Sequence, residues 1–159
     1  MKNKSIYLCR CAVIAALYVL LTYLSSIFGL SSGAIQVRVS EALCILPVFT
    51  SAAVPGLTIG CFIANIITGS VLIDCIGGAI ATFIGAIVTY LFRRKKLLPF
   101  IPPIVSNAVI VPFILQYAYG IPDSYWYLML TVGIGEIISA GFLGFMLCKS
   151  LKNKQFLFN

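Results

Sequence analysis

Arg38 and Glu41 stand three residues apart in the apolar stretch "QVRVSEALCILP", and Glu136 stands alone in "TVGIGEIISAGF". A charged side chain near the centre of a bilayer costs about 2.5–3.5 kcal/mol even on the forgiving insertion scales, so such groups face protein or a cavity. Spacing i, i+3 on a helix puts Arg38 and Glu41 on one face, where they could neutralise each other. Glu136 has no cation on the last two apolar segments. It must therefore be protonated, reach Arg38 across the molecule, or meet a ligand that brings donors. A carboxylate accepts two parallel hydrogen bonds, which suits the adjacent ring N–H and amino group of a guanine-like base.

The other polar and aromatic candidates extend that chemistry. Asn65 adds a donor and an acceptor, Asp74 a further carboxylate, and Gln36 and Gln116 could line a pocket mouth. Tyr117, Tyr119, Tyr125, Trp126 and Tyr127 gather near one end of their segments. An interfacial belt accounts for most of them, while Tyr117 and Trp126 could stack on a flat ring. The expected binding set is thus Gln36, Arg38, Glu41, Asn65, Asp74, Gln116, Tyr117, Trp126 and Glu136. Asn107 falls deeper, toward the basic side, and stands outside that set. All four acidic residues, Glu41, Asp74, Asp123 and Glu136, fall at or beyond the midplane on the side away from the basic ends, against one arginine. That balance favours a cation over an anion: a small planar, donor-rich solute rather than a phosphate or carboxylate.

The elements that must hold these residues are membrane helices. The 159-residue chain is 61% hydrophobic and 9% charged, and its mean hydropathy is +1.09. Soluble domains run near 45–50% apolar. Runs of roughly 20 apolar residues, enough to cross a bilayer, recur along the whole chain. The spacing predicts an all-α membrane protein, one six-helix bundle over residues 1–159. Its helices are expected at about 6–28, 34–49, 52–68, 71–92, 101–119 and 125–148. Pro55 is placed in a first turn, where proline is tolerated.

Orientation follows from lysine and arginine. Ten of the eleven basic residues lie at the N-terminus, in "RRKK" (Arg93–Lys96) and at the C-terminus. Six spans put those three places on one side, the cytoplasm. The net charge of +7 is then a topology signal and calls for no nucleic acid. Histidine is absent, the six cysteines form no C-x-x-C pair, and there is no G-x-x-x-x-G-K-[ST] loop. Metal, thioredoxin-like and nucleotide-hydrolysing chemistry are therefore not expected, and neither an enzyme nor a cofactor is predicted. Small residues form ridges for close helix packing: Gly56, Gly60 and Ala64 on one segment, and Gly77, Ala81 and Gly85 on the next. Ala12 and Ala16 form A-x-x-x-A on the first helix, either for internal packing or for docking another membrane protein.

Taken together, "IQVRVSEALCILP", "AAVPGLTIGCFIANI" and "LPFIPPIVSNAVIVP" resemble the QueT family, the substrate-binding S subunits of energy-coupling-factor (ECF) transporters for queuosine precursors. The resemblance spans essentially all six helices. It implies an S-component fold in the plasma membrane with both termini cytoplasmic. It also implies partners: a transmembrane coupling subunit, docked at Ala12 and Ala16, and two ATP-binding subunits. The implied ligand is a deazaguanine base, either queuine or an aminomethyl or cyano precursor. The rival expectation is a self-sufficient, proton-coupled carrier of small cations, working as a dimer with Glu136 as its proton-binding group.

Overall fold

The computed structural model describes residues 2–30 and 36–152. The expected start of the second helix at Ala34 and the basic Lys154 lie outside them. Among the described residues the chain is all-helical, with helix α1 at Lys2–Ile27, a 3₁₀ helix at Val39–Val48, α2 at Ala53–Ile67, α3 at Leu72–Leu91 and α4 at Ile101–Tyr119. The last helix, α5, spans Tyr125–Lys152 and contains a π-helical stretch at Ile137–Leu143. Four of these, α1, α3, α4 and α5, are long and apolar enough to cross a membrane.

The second helix departs from the expected α-helix. Gln36–Arg38 belongs to no helix, Arg38 is extended at φ −105° and ψ 108°, and the helix that follows is 3₁₀ throughout. A 3₁₀ helix rises about 2.0 Å per residue against 1.5 Å for an α-helix, so it carries a short apolar segment deeper. It sits inside the bundle, against α1, α2, α3 and α5, and every residue from Ser40 to Pro47 is buried. A polar stripe on α1 fixes its start. Tyr18, Thr22 and Ser25 are spaced i, i+4, i+7 and share one face. Tyr18 donates to Glu41, Thr22 to the Ser40 hydroxyl at 2.8 Å, and the Ser25 hydroxyl accepts from the Val39 N–H at 3.1 Å.

The helices pack through small residues, as their ridges predict. A methyl group on Gly56 would lie 2.9 Å from the Cys11 carbonyl oxygen, and one on Gly60 would lie 2.9 Å from Tyr18 Cβ. Bare backbone therefore sets how closely α1 approaches α2. On the other side, a methyl group on Gly85 would lie 2.8 Å from Ser106 Oγ and 3.0 Å from Pro103 Cα, which joins α3 to α4. The two faces of α3 state the environment. Asp74, Gly78, Thr82, Gly85 and Thr89 are buried, while Leu72, Ile73, Ile76, Ile80, Phe83 and Ile84 are exposed. Polar and small residues point inward and large apolar ones outward, the reverse of a water-soluble helix and the pattern lipid requires. Gly120, at φ +63°, ends α4 in a left-handed C-cap, and Ser124 starts α5 by accepting from the Tyr127 N–H at 3.3 Å.

Candidate binding site

Five elements and the extended segment before the 3₁₀ helix converge on one buried polar cavity. Its walls are Gln36, Arg38, Glu41, Cys61, Asp74, Gly78, Thr82, Asn107, Val111, Val132 and Glu136. Glu41 is 2% exposed and Glu136 9%, so both carboxylates are out of water and must find partners within the bundle. Glu41 is well supplied. Its Oε1 accepts from the Tyr18 hydroxyl, and its Oε2 accepts from Cys44 Sγ at 3.1 Å and from Asn107 Nδ2 at 3.4 Å. Glu136 accepts from the same Asn107 nitrogen at 2.9 Å, while its Oε2 has no partner among the described residues. One amide thus stands between two carboxylates, and one carboxylate oxygen is left bare.

Arg38 and Glu41 do not pair as the i, i+3 spacing predicts. Arg38 precedes the helix in an extended conformation, so no common helical face forms. Its Nη1 donates to Asn65 Oδ1 at 3.4 Å, and Asn65 in turn donates to the Asp74 carbonyl oxygen at 3.2 Å. The Asp74 carboxylate accepts from the Tyr119 hydroxyl at 2.8 Å. Arg38, Asn65, Asp74 and Tyr119 thus form one side of the site, and Tyr18, Glu41, Asn107 and Glu136 the other.

Local backbone explains how these groups come together. Glu136 is the last residue before the π-helical stretch of α5, and π-bulges commonly re-aim side chains at functional sites. Its neighbour Gly135 lies against the Gln36 carbonyl oxygen, where a Cβ would collide. A side chain there would push away the segment that carries Arg38. A Cβ on Gly78 would come within 2.9 Å of Asn65 Nδ2, so that glycine makes room for the amide behind the wall.

Of the expected binding set, the structure places Gln36, Arg38, Glu41, Asp74 and Glu136 around the cavity, with Asn65 bonded directly behind Arg38. Gln116, Tyr117 and Trp126 lie elsewhere. Gln116 donates to the Asp123 carbonyl oxygen at 2.8 Å, and Tyr117 and Trp126 are 81% and 69% exposed. Tyr18, Cys44, Cys61, Thr82 and Asn107 join the site although the set omits them. The Tyr18–Thr22–Ser25 stripe, polar at helical spacing in an apolar run, is the signal that finds the α1 contribution. Ala12 and Ala16 are exposed on α1, where they line a shallow apolar hollow of about 850 Å³ with Ile59 and Ile63 of α2.

The polar cavity is narrow, about 30 Å³, room for a water or two. Sites for drug-sized ligands are roughly ten times larger. Of the cavity's walls, only Gln36 and Arg38 lie outside a helix.

A family model described as QueT transporter matches residues 8–153. A curated relative, the queuosine precursor transporter QueT of Lactococcus lactis subsp. cremoris, is 36% identical over 83 residues, 52% of this chain and 48% of that protein. The matched stretch thus spans about half of the relative's length. No solved structure matches. The family match takes in every element that walls the cavity, from the lead-in of the 3₁₀ helix to Glu136 on α5: the chain belongs to the QueT transporter family.

Proposed function

We propose that the chain is the membrane-embedded substrate-binding subunit of an ECF-type importer and captures a queuosine precursor, a deazaguanine base, from outside the cell. The observation that carries this reading is the buried pair Glu41 and Glu136 around Asn107, with Glu136 Oε2 unpartnered among the described residues. A carboxylate edge that lacks a donor, walled by Val111 and Val132, suits the paired N–H donors of a guanine-like ring. In this reading Arg38, on the wall opposite the glutamates, donates to the ring's carbonyl oxygen. The name of the Lactococcus relative supports the substrate class.

In this reading the chain lies in the plasma membrane with both termini in the cytoplasm, as its basic ends favour. It supplies no ATP hydrolysis of its own. A coupling transmembrane subunit docks on the small-residue face of α1 at Ala12 and Ala16, and two ATP-binding subunits drive release. The exposure of both alanines beside an apolar hollow fits a helix–helix contact of that kind.

Ligand-induced thermal stabilisation of the purified protein tests the substrate. A ligand that binds only the folded state stabilises it by RT ln(1 + [L]/Kd), about 2.7 kcal/mol at one hundred times Kd. Queuine and the aminomethyl and cyano deazaguanines are expected to raise the midpoint, while riboflavin and biotin leave it unchanged. Proteoliposome uptake driven by a pH gradient alone, without ATP-binding partners, would instead establish the dimeric carrier with Glu136 as its proton site.

A further inference from the structure

We propose that the groove between α3 and α4, beside the basic turn Arg93–Lys96, binds an anionic phospholipid, with an acyl chain along the groove and the headgroup phosphate on the turn. The site lies apart from the polar cavity and does not depend on what the cavity binds.

The groove has a volume of about 300 Å³. Ile84, Val88 and Phe92 form one wall at four-residue spacing along α3 and its C-cap, Ile101 and Val105 form the other on α4, and Leu98 comes from the connection. Both helices are long and apolar enough to cross a membrane, so the groove opens to lipid rather than to water. It runs beside the close contact of Gly85 with Pro103 and Ser106. From Ile84 to Phe92 the α3 wall is about 12 Å long at 1.5 Å per residue, a stretch that an extended acyl chain can lie along. Ile84, Phe92, Leu98, Ile101 and Val105 are exposed.

Charge at the end of the groove selects the occupant. The chain leaves the groove at Phe92, turns through Arg93, Arg94, Lys95 and Lys96, and re-enters it at Leu98. Four positive charges thus lie on the connection between the two walls, and that connection is held in place. Arg93 lies 4.0 Å from the centre of the Tyr90 ring and donates to the Tyr90 carbonyl oxygen at 3.0 Å. The Lys95 N–H donates to the Phe92 carbonyl oxygen at 2.8 Å, and the Thr89 hydroxyl donates to the Pro99 carbonyl oxygen at 3.0 Å. Arg94, Lys95 and Lys96 are exposed. The chain's four acids lie elsewhere: Glu41 and Glu136 in the cavity, Asp74 in the first turn of α3, and Asp123 beyond the far end of α4. A fixed basic turn beside an apolar groove complements a lipid of net negative charge, since each Lys or Arg near the membrane surface adds to the attraction. A zwitterionic lipid offers the chain without the net charge, and a free phosphate offers the charge without the chain.

Native mass spectrometry of the full chain in detergent tests this, with phosphatidylglycerol and phosphatidylcholine of the same acyl chains as probes. Phosphatidylglycerol is expected to bind at least about tenfold more tightly, a comparison that needs no variant. Arg94→Gln, Lys95→Gln and Lys96→Gln together should remove that preference. Val105→Trp, which fills the groove without changing charge, should weaken phosphatidylglycerol binding about tenfold. Glycerol 3-phosphate should not compete. Equal binding of the two lipids, or a preference that survives the triple substitution, would overturn the proposal. So would undiminished binding by Val105→Trp, which would make charge alone sufficient, or competition by glycerol 3-phosphate, which would make the ligand a free anion. A protein dimer that Val105→Trp dissociates, with no selective lipid binding, would give the groove to a second copy of the chain instead.

Discussion

In the function proposed here, the cavity and the α1–α2 hollow would divide the labour of this molecule by opposite means. The cavity is narrow, about 30 Å³, and ringed by Arg38, Glu41, Asp74, Asn107 and Glu136. The hollow is open, about 850 Å³, and lined by residues such as Ala12, Ala16, Leu20 and Ile63. In the cavity most of the buried polar side chains are already hydrogen-bonded, so a ligand must exchange one set of bonds for another. Discrimination comes from that exchange, because a solute lacking a donor leaves a buried acceptor unpaired. The hollow presents apolar side chains, and affinity for a partner helix there depends on how closely backbones approach. The proposed function therefore makes solute specificity and partner assembly separable on this chain.

The sharpest way to break that division is to remove a carboxylate. Glu136→Ala and Glu41→Ala should each weaken ligand binding by at least about 30-fold, since truncating one partner of a buried, charged hydrogen-bonded pair costs about 2–5 kcal/mol. Glu41→Ala should also lower the thermal midpoint, because Tyr18, Cys44 and Asn107 all donate to it. Unchanged affinity in a folded Glu136→Ala variant would move the binding site away from this cavity.

A smaller effect is expected where backbone positions the site without touching the ligand. Gly135→Ala places a methyl group against the Gln36 carbonyl oxygen and must displace the segment that carries Arg38. Overpacking of this kind costs about 1–3 kcal/mol, and affinity should fall about tenfold while helix content by circular dichroism is kept. The matching test on the hollow is Ala16→Leu. Ala16 is exposed, so ligand binding should stay as it is. Association with a coupling subunit, read by co-purification, should drop about tenfold for the same steric reason. A variant that loses both functions would join the two regions again.

The two regions also differ in how plainly residue type marks them. Arg38, Glu41, Asp74 and Glu136 stand out in the sequence because charge in an apolar run is costly, and they do meet around one cavity. The ridges of α2 and α3 are legible for a similar reason, since small residues at four-residue spacing have few other uses. The form of the second helix is not legible. An apolar stretch of ten residues reads equally as α or 3₁₀, and burial on all sides decides between them. Depth counted along straight helices puts Asn107 too near the basic side. The structure bonds Asn107 to both Glu41 and Glu136, beside a π-helical stretch that begins at Ile137 and a non-helical entry to the 3₁₀ helix. Neither feature has a mark in residue type alone.

Tyr117 and Trp126 give the smallest and last test. Aromatic residues at a helix end serve lipid headgroups and flat ligands equally well, so residue type alone allows stacking for both. In the structure they are among the most exposed side chains, and Tyr117 lies nearly parallel to Phe113 with ring centroids 6.4 Å apart. Exposed substitutions away from a site shift free energy by no more than about 0.5 kcal/mol. Trp126→Ala and Tyr117→Ala should therefore change ligand affinity by about twofold or less in calorimetric titration. A loss of tenfold in either would mean that the cavity, in opening from its narrow form, recruits the aromatic end of α4 or α5 over the bound base. The polar cavity would then be only the floor of the site.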